Sequence, residues 1–307
     1  MSLILATSAA QTQLMRSQLT PRQVALAIGV SEASLKRWCD RGLLPSVRTV
    51  GGHRRLPIHG VLQFLRDRGQ MVTRPELLGL PPATGHGPIV YDRARAEMRA
   101  ALVAGDEDAF RRLGYDLWLG GNRLCEVIEK GIAPAFADLG LDVKHGRVEI
   151  FEERRAIEIC TRFLHEMRLL LPPPAADAPL AIGGTAEGDP YTLPTAMVEL
   201  ALREAGWRAE SYGTGHPLRT LKAAIETVRP RLFWLSISHV SQRETFVRDF
   251  RLLHDAALSR GVALVLGGRG VDHDLRGRLT WAFCADSLTG MVDFAHRLRA
   301  ASLPSQI

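Results

Sequence analysis

Arg48, Arg54 and Arg55 flank the stretch Thr49-Val50-Gly51-Gly52-His53. Guanidinium and imidazole donors around a Gly-Gly pair can grip phosphate oxygens, and the glycines permit a tight hairpin tip. Ser34, Lys36 and Arg37 form a second donor group, with Arg22 a little earlier. Further on, Glu187-Gly188-Asp189-Pro190-Tyr191 offers two carboxylates and a phenol, and Ser236, Ser238, His239 and Gly267-Gly268 stand in later loops. The two acids have no defined partner and no nucleophile–base set is visible, so catalysis is not expected. The cysteines Cys39, Cys125, Cys160 and Cys284 contain no CxxC pair, which excludes a zinc ribbon or a thioredoxin-type centre. So few cysteines in so long a chain also argue against a disulfide framework.

Charge sharpens the first group. The 307 residues carry a formal +6, but residues 1–70 hold ten Lys and Arg against three acids, which is +7 and leaves −1 for the rest. A compact basic block on a near-neutral body points to a polyanion, most often nucleic acid. Met1–Ala10 has no basic flank or long apolar run, and nothing later is long and apolar enough to span a membrane. The expected compartment is the cytoplasm.

The donors need elements to hold them. Thr20-Pro21 fits an N-cap and first helical position, with Val24, Ala25 and Ile28 as an apolar face. Gly29-Val30 makes a turn, and Ser31 caps a second helix. Leu35 and Trp38 would face inward on that helix, with Ala33, Ser34, Lys36 and Arg37 mostly outward. That is a helix-turn-helix, followed by a Gly-Gly hairpin. Two Pro/Gly-rich breaks, 79–88 and 171–179, divide the chain into 1–78, 89–171 and 180–307.

The middle segment reads as four helices, at 91–104, 106–119, 122–139 with a break near Gly131 and Pro134, and 148–171. In the last of these, Ile150, Ile157, Cys160, Leu164 and Met167 mark an apolar face, and the four helices suggest a bundle. The third segment alternates strands at 180–183, 208–212, 232–236, 262–266 and 281–284 with helices at 194–205, 218–228, 244–260 and 288–300. Such alternation implies a parallel sheet covered on both faces, with ligands at the carboxyl ends of its strands. The expected fold class is α+β multidomain: winged helix-turn-helix, helical bundle and a Rossmann-like α/β domain.

The first segment resembles the winged-helix domain of MerR-type regulators, and Thr49–Arg55, of the form TxGGHRR, carries the resemblance. The order of reader, bundle and α/β domain resembles the cobalamin-dependent, light-responsive CarH/LitR group. The resemblance implies a sequence-specific DNA-binding regulator, a repressor, acting as a homo-oligomer on promoter DNA. It implies Lys36 or Arg37 at base edges, with Arg48, Arg54 and Arg55 on phosphates. No cysteine cluster supports metal sensing.

The family's loop after the first strand has the form (Asp/Glu)-x-His-x-x-Gly, its His being the lower cobalt ligand. Here Asp189 is kept, Tyr191 stands for the His and Pro194 for the Gly. A phenol, with an ordinary pKa of about 10, is a poor donor at neutral pH. In light-sensing relatives a Trp and a Glu-His pair cover the upper face of the cobalamin. Here those positions are Val143, Glu153 and Arg154. The expectation is a domain without adenosylcobalamin photochemistry and with no metal. Holding no ligand is the first expectation, cobalamin the second, and another tetrapyrrole, a bilin or haem, the third, with Arg154 and His239 then meeting ligand carboxylates. Without such a ligand, Arg154 is expected to pair with Glu158. A corrinoid carrier of a methyl-transfer or mutase system is the alternative from another class. An architectural DNA protein is a third.

Overall fold

The computed structural model describes residues 18–84 and 90–301. The Met1–Ala10 stretch and the 85–88 part of the first break lie outside the described residues. The described part of that break is packed: Leu80, Pro81 and Thr84 are buried, and Thr84 Oγ1 donates to the Pro81 carbonyl at 2.7 Å.

The chain divides into two compact units. The first comprises 1–122, 130–159 and 169–172, and the second 123–129, 160–168 and 173–307.

In the first unit, β1 (Gln18–Leu19) leads into α1 (Pro21–Ala27) and α2 (Glu32–Asp40). Thr20 and Gln23 close a capping box on α1, and Ser31 caps α2 by accepting from the Ser34 N–H at 3.1 Å. Leu35 is fully buried and the Trp38 ring lies 5.1 Å from that of Phe64, as the inward face requires. The wing is β2 (Val47–Arg48) against β3 (Arg54–Pro57), antiparallel, with Arg48 opposite Arg54. β1 adds a third strand on the other side of β3, and α3 (Ile58–Arg68) follows at once.

The helices α4 (Tyr91–Ala104) and α5 (Glu107–Leu119) agree with their sequence signals. The third helix does not break as expected. The chain runs α6 (Leu124–Val127), a π turn (Ile128–Ile132) and α7 (Ala133–Lys144) without interruption. Pro134 lacks an N–H and its ring crowds the carbonyl four residues back, and a widened turn absorbs both faults. α8 (Ile150–Leu170) is helical as expected, but Ile150 is 62% exposed. Its buried stripe is Ala156, Ile159, Cys160, Phe163, Leu164 and Met167.

The second unit holds a five-stranded parallel sheet. In chain order its elements are β4 (Leu180–Thr185), α9 (Thr192–Glu204), β5 (Arg208–Ser211), α10 (Leu218–Val228), β6 (Leu232–Ser236), α11 (Arg243–Ser259), β7 (Ala263–Gly267), α12 (His273–Arg278), β8 (Phe283–Ala285) and α13 (Leu288–Ala300). The strand order β5-β4-β6-β7-β8 reverses direction between β4 and β6. One face buries Leu218, Leu221, Phe250 and Leu253 of α10 and α11. The other buries Leu202, Trp207, Trp234, Met291 and Ala295 under α9 and α13. This is a Rossmann-like doubly wound domain. All four cysteines are free thiols. Among the described residues, no helix is long and apolar enough to cross a membrane.

Candidate functional site

The helix-turn-helix and wing bring the sequence-derived cations into one small domain. Arg22, Lys36, Arg37, Arg48, Gly51, Gly52 and His53 are exposed, and Ser34 and Arg55 are half-buried. At the wing tip Gly52 takes φ +75°, the left-handed region that a hairpin reversal needs. The Thr49 carbonyl accepts from the Gly52 N–H at 2.8 Å, and the Val50 side chain stands fully in solvent. Arg48 Nη1 reaches the Gly52 carbonyl at 3.4 Å. Arg37 Nη2 donates to Ser34 Oγ at 3.2 Å, and Lys36 pairs with Glu32 across one turn at 3.1 Å, both exposed. Such contacts exchange readily for a polyanion.

Arg54 departs from its expected role. Its guanidinium is engaged inside the domain, by the Lys36 carbonyl at 3.2 Å and Asp40 Oδ1 at 2.6 Å. Sequence reasoning passed over Arg41. It is exposed at the C-cap of α2 and, like Arg22, Arg48 and Arg55, forms no ion pair among the described residues. Its place one residue past the helix was the available signal.

The domain also has a firm base. The Arg66 guanidinium stacks 4.5 Å over the Trp118 ring and donates to the Asn122 carbonyl at 3.0 Å, tying α3 to the helical part of its own unit.

In that helical part, Val143 is half-buried in the last turn of α7, Glu153 is half-buried and Arg154 is exposed. The expected Arg154–Glu158 pair is not formed, and Arg154 has no ion pair among the described residues. The charges that do pair lie elsewhere. Arg99 and Arg147 both hold Asp142, and Arg95 holds Asp138, in a ladder between α4 and α7. Hydrogen bonds from Arg147 and Arg99 lower the Asp142 carboxyl below the usual carboxylate range.

In the second unit the crevice of a doubly wound sheet opens where the strand order reverses, at the carboxyl ends of β4 and β6. Asp189 sits there, 1% exposed. Its Oδ2 accepts from the Ser238 N–H at 2.6 Å and the His239 N–H at 3.2 Å, and its Oδ1 from the Tyr191 N–H at 3.2 Å. Thr185 Oγ1 donates to the Asp189 carbonyl at 3.0 Å. Asp189 is thus a clamp between two loops, with its acceptor sites turned to the protein. Ser236 is buried at the end of β6, Ser238 is half-buried and the His239 side chain is exposed. Gly267 ends β7, and a Cβ on Gly268 would overlap the Ile237 carbonyl.

Tyr191 does not sit in the loop proper; it is the N-cap residue of α9, which begins at Thr192 and not at Pro194. Tyr191 is 39% exposed, and the Arg269 guanidinium stands 4.9 Å above its ring. These residues do not fit cobalt held by a protein nitrogen. The residue where a nitrogen donor was expected is Tyr191, a phenol with a cation over its ring. The Trp234 indole lies against Gly183 and fills the space up to α9, where its Nε1 donates to Thr195 Oγ1 at 3.0 Å. Among the described residues no group of three or more His, Cys, Asp or Glu could hold a metal ion.

Comparison with known proteins agrees with both units. The family described as Helix-turn-helix domain matches residues 19–69. The dimethylamine corrinoid protein of Methanosarcina barkeri is 24% identical over 145 residues, covering 47% of this chain and 68% of its own. The dimethylamine corrinoid protein 1 of Methanosarcina acetivorans is 23% identical, with the same coverage of each chain. Among solved structures, the monomethylamine corrinoid protein of Methanosarcina barkeri aligns with a TM-score of 0.54 at 15% identity, over 68% of this chain and all of its own. The chain therefore joins a helix-turn-helix DNA-binding domain to a Rossmann-like domain of the cobalamin-binding fold.

Proposed function

We propose that the protein is a MerR-type transcription regulator, a repressor that occludes a promoter, and not an enzyme. The observation that carries this reading is the joint placement of α2 and a Gly-Gly wing on a domain with net charge +7, most of whose cations are exposed. α2 enters the major groove with Lys36 and Arg37 at base edges, while Arg48, Arg55 and His53 hold the flanking backbone. One reader of this size gives modest affinity, so the protein acts as a homo-oligomer on repeated half-sites, in the cytoplasm.

The order of parts supports a regulator akin to the CarH/LitR group whose signal is not adenosylcobalamin. Tyr191 with Arg269, and Trp234 against Gly183, argue for a domain that works without a corrinoid, as a folded assembly module. Cobalamin is the second ligand reading, supported by the corrinoid relatives, and a bilin or haem is the third.

The corrinoid-carrier reading draws support from the names of the relatives. It requires a corrinoid on a loop whose lower-ligand position is a phenol. One experiment separates these readings: gel retardation of the DNA upstream of the protein's own gene, in dark and light, with hydroxocobalamin, biliverdin or haem added. Retardation that weakens steeply with salt, with no absorbance change from any chromophore, is the expected result. A hydroxocobalamin spectral shift without DNA retardation would establish the carrier instead.

A further inference from the structure

We infer that Arg54 is a positioning residue of the DNA reader: with Asp40 it fastens wing strand β3 to the C-terminal end of recognition helix α2. The inference rests on the DNA-binding reading and deepens it.

The two adjacent arginines of the wing project to opposite sides, because successive strand residues alternate. Leu56, two residues past Arg54, is fully buried, so Arg54 faces the domain and Arg55 faces away. Arg54 spends its planar fork on two acceptors of α2, the Lys36 carbonyl at 3.2 Å and Asp40 Oδ1 at 2.6 Å. Its side chain is 18% exposed, against 63% for that of Asp40. The Asp40 hydrogen bond raises the Arg54 pKa above the ordinary arginine value. A cation at a helix C-terminus also meets the negative end of the helix dipole. Arg41, Arg48 and Arg55, by contrast, form no ion pair among the described residues.

Wing and helix therefore present their donors as one rigid body. Binding does not have to order one relative to the other, so affinity gains from preorganisation. Asp40 is then a carboxylate that helps a polyanion to bind. A free surface acid beside a phosphate-binding face would do the opposite, and that difference in sign makes the inference testable.

The test measures affinity for the upstream duplex over a salt series, for the full-length protein and for Arg54→Ala, Arg54→Lys, Asp40→Ala and Arg54→Ala/Asp40→Ala. Arg54→Ala is expected to weaken binding about tenfold with an unchanged salt slope. Arg54→Lys keeps the charge but loses the fork, and should behave like Arg54→Ala. Asp40→Ala should also weaken binding, and the double variant should be no weaker than the weaker single. A fall of about 1 in the salt slope for Arg54→Ala, or Asp40→Ala binding at least as tightly as wild type, overturns the inference. A DNA-free arm follows amide hydrogen exchange of wing residues 47–57. Faster exchange in the Arg54→Ala and Asp40→Ala variants supports the fastening, and unchanged exchange overturns it. Failure of the wild type itself to retard the duplex would sink the DNA reading, and the exchange arm would still decide the role of Arg54.

Discussion

Asp189 shows what a single residue does here. One buried carboxylate collects the N–H groups of Tyr191, Ser238 and His239, so the loops after β4 and β6 are held by one side chain. Truncation leaves three donors without their acceptor in a closed site. Asp189→Ala is expected to cost about 2–4 kcal/mol, read as a lower urea midpoint with an unchanged m-value. The sequence marked Asp189 and Tyr191 as members of one loop motif. It could not tell that the carboxylate faces inward while the Tyr191 side chain is exposed at the start of α9, because the inward turn depends on the partner loop some fifty residues later. Arg54 is the same lesson in the wing: adjacent arginines look alike in sequence, and strand alternation with Asp40 across the gap gives them different work.

At the scale of elements, the legible ones carry their own start and stop residues. Thr20 with Pro21, Ser31, Asp106 and the left-handed Gly105 mark helix ends by local chemistry that needs no tertiary partner. β1 has two residues and exists only because β3 is there to pair with it. The π turn at Ile128–Ile132 is a local response to Pro134, which sequence reading took for a break. The loop after β7 is set by close packing. Gly268 has φ +111° and lies against the Ile237 carbonyl, so Gly268→Ala meets both backbone strain and overlap. A loss of about 2–4 kcal/mol is expected, measured by chemical denaturation.

For the whole molecule, charge divides by function. The excess of cations is confined to residues 1–70, while the remainder carries −1 because its acids and bases are nearly equal in number; many of them form ion pairs, and those pairs titrate. On the surface of the α/β domain, Arg243 bonds both Asp272 and Asp274, and Arg278 bonds Glu244 and Asp274. The Arg243 hydrogen bond, with a backbone N–H at the start of α12, pushes Asp272 down to about 2. A depressed folded pKa contributes stability that is fully present above the ordinary carboxylate value. It is lost as pH falls from about 4 through about 2. The Tm difference between wild type and Arg243→Ala should therefore be present at pH 6 and shrink toward pH 2, which thermal unfolding across pH would follow. The sequence by itself determined the helix-turn-helix, the alternation of the α/β domain and a Tyr rather than a His at position 191, since each is written in residue types at short spacing. Tertiary structure alone decided that Arg54 faces Asp40, that Asp189 is a clamp, and that Trp234 fills the space over Gly183. Those facts join residues far apart in the chain, and only packing brings them within reach.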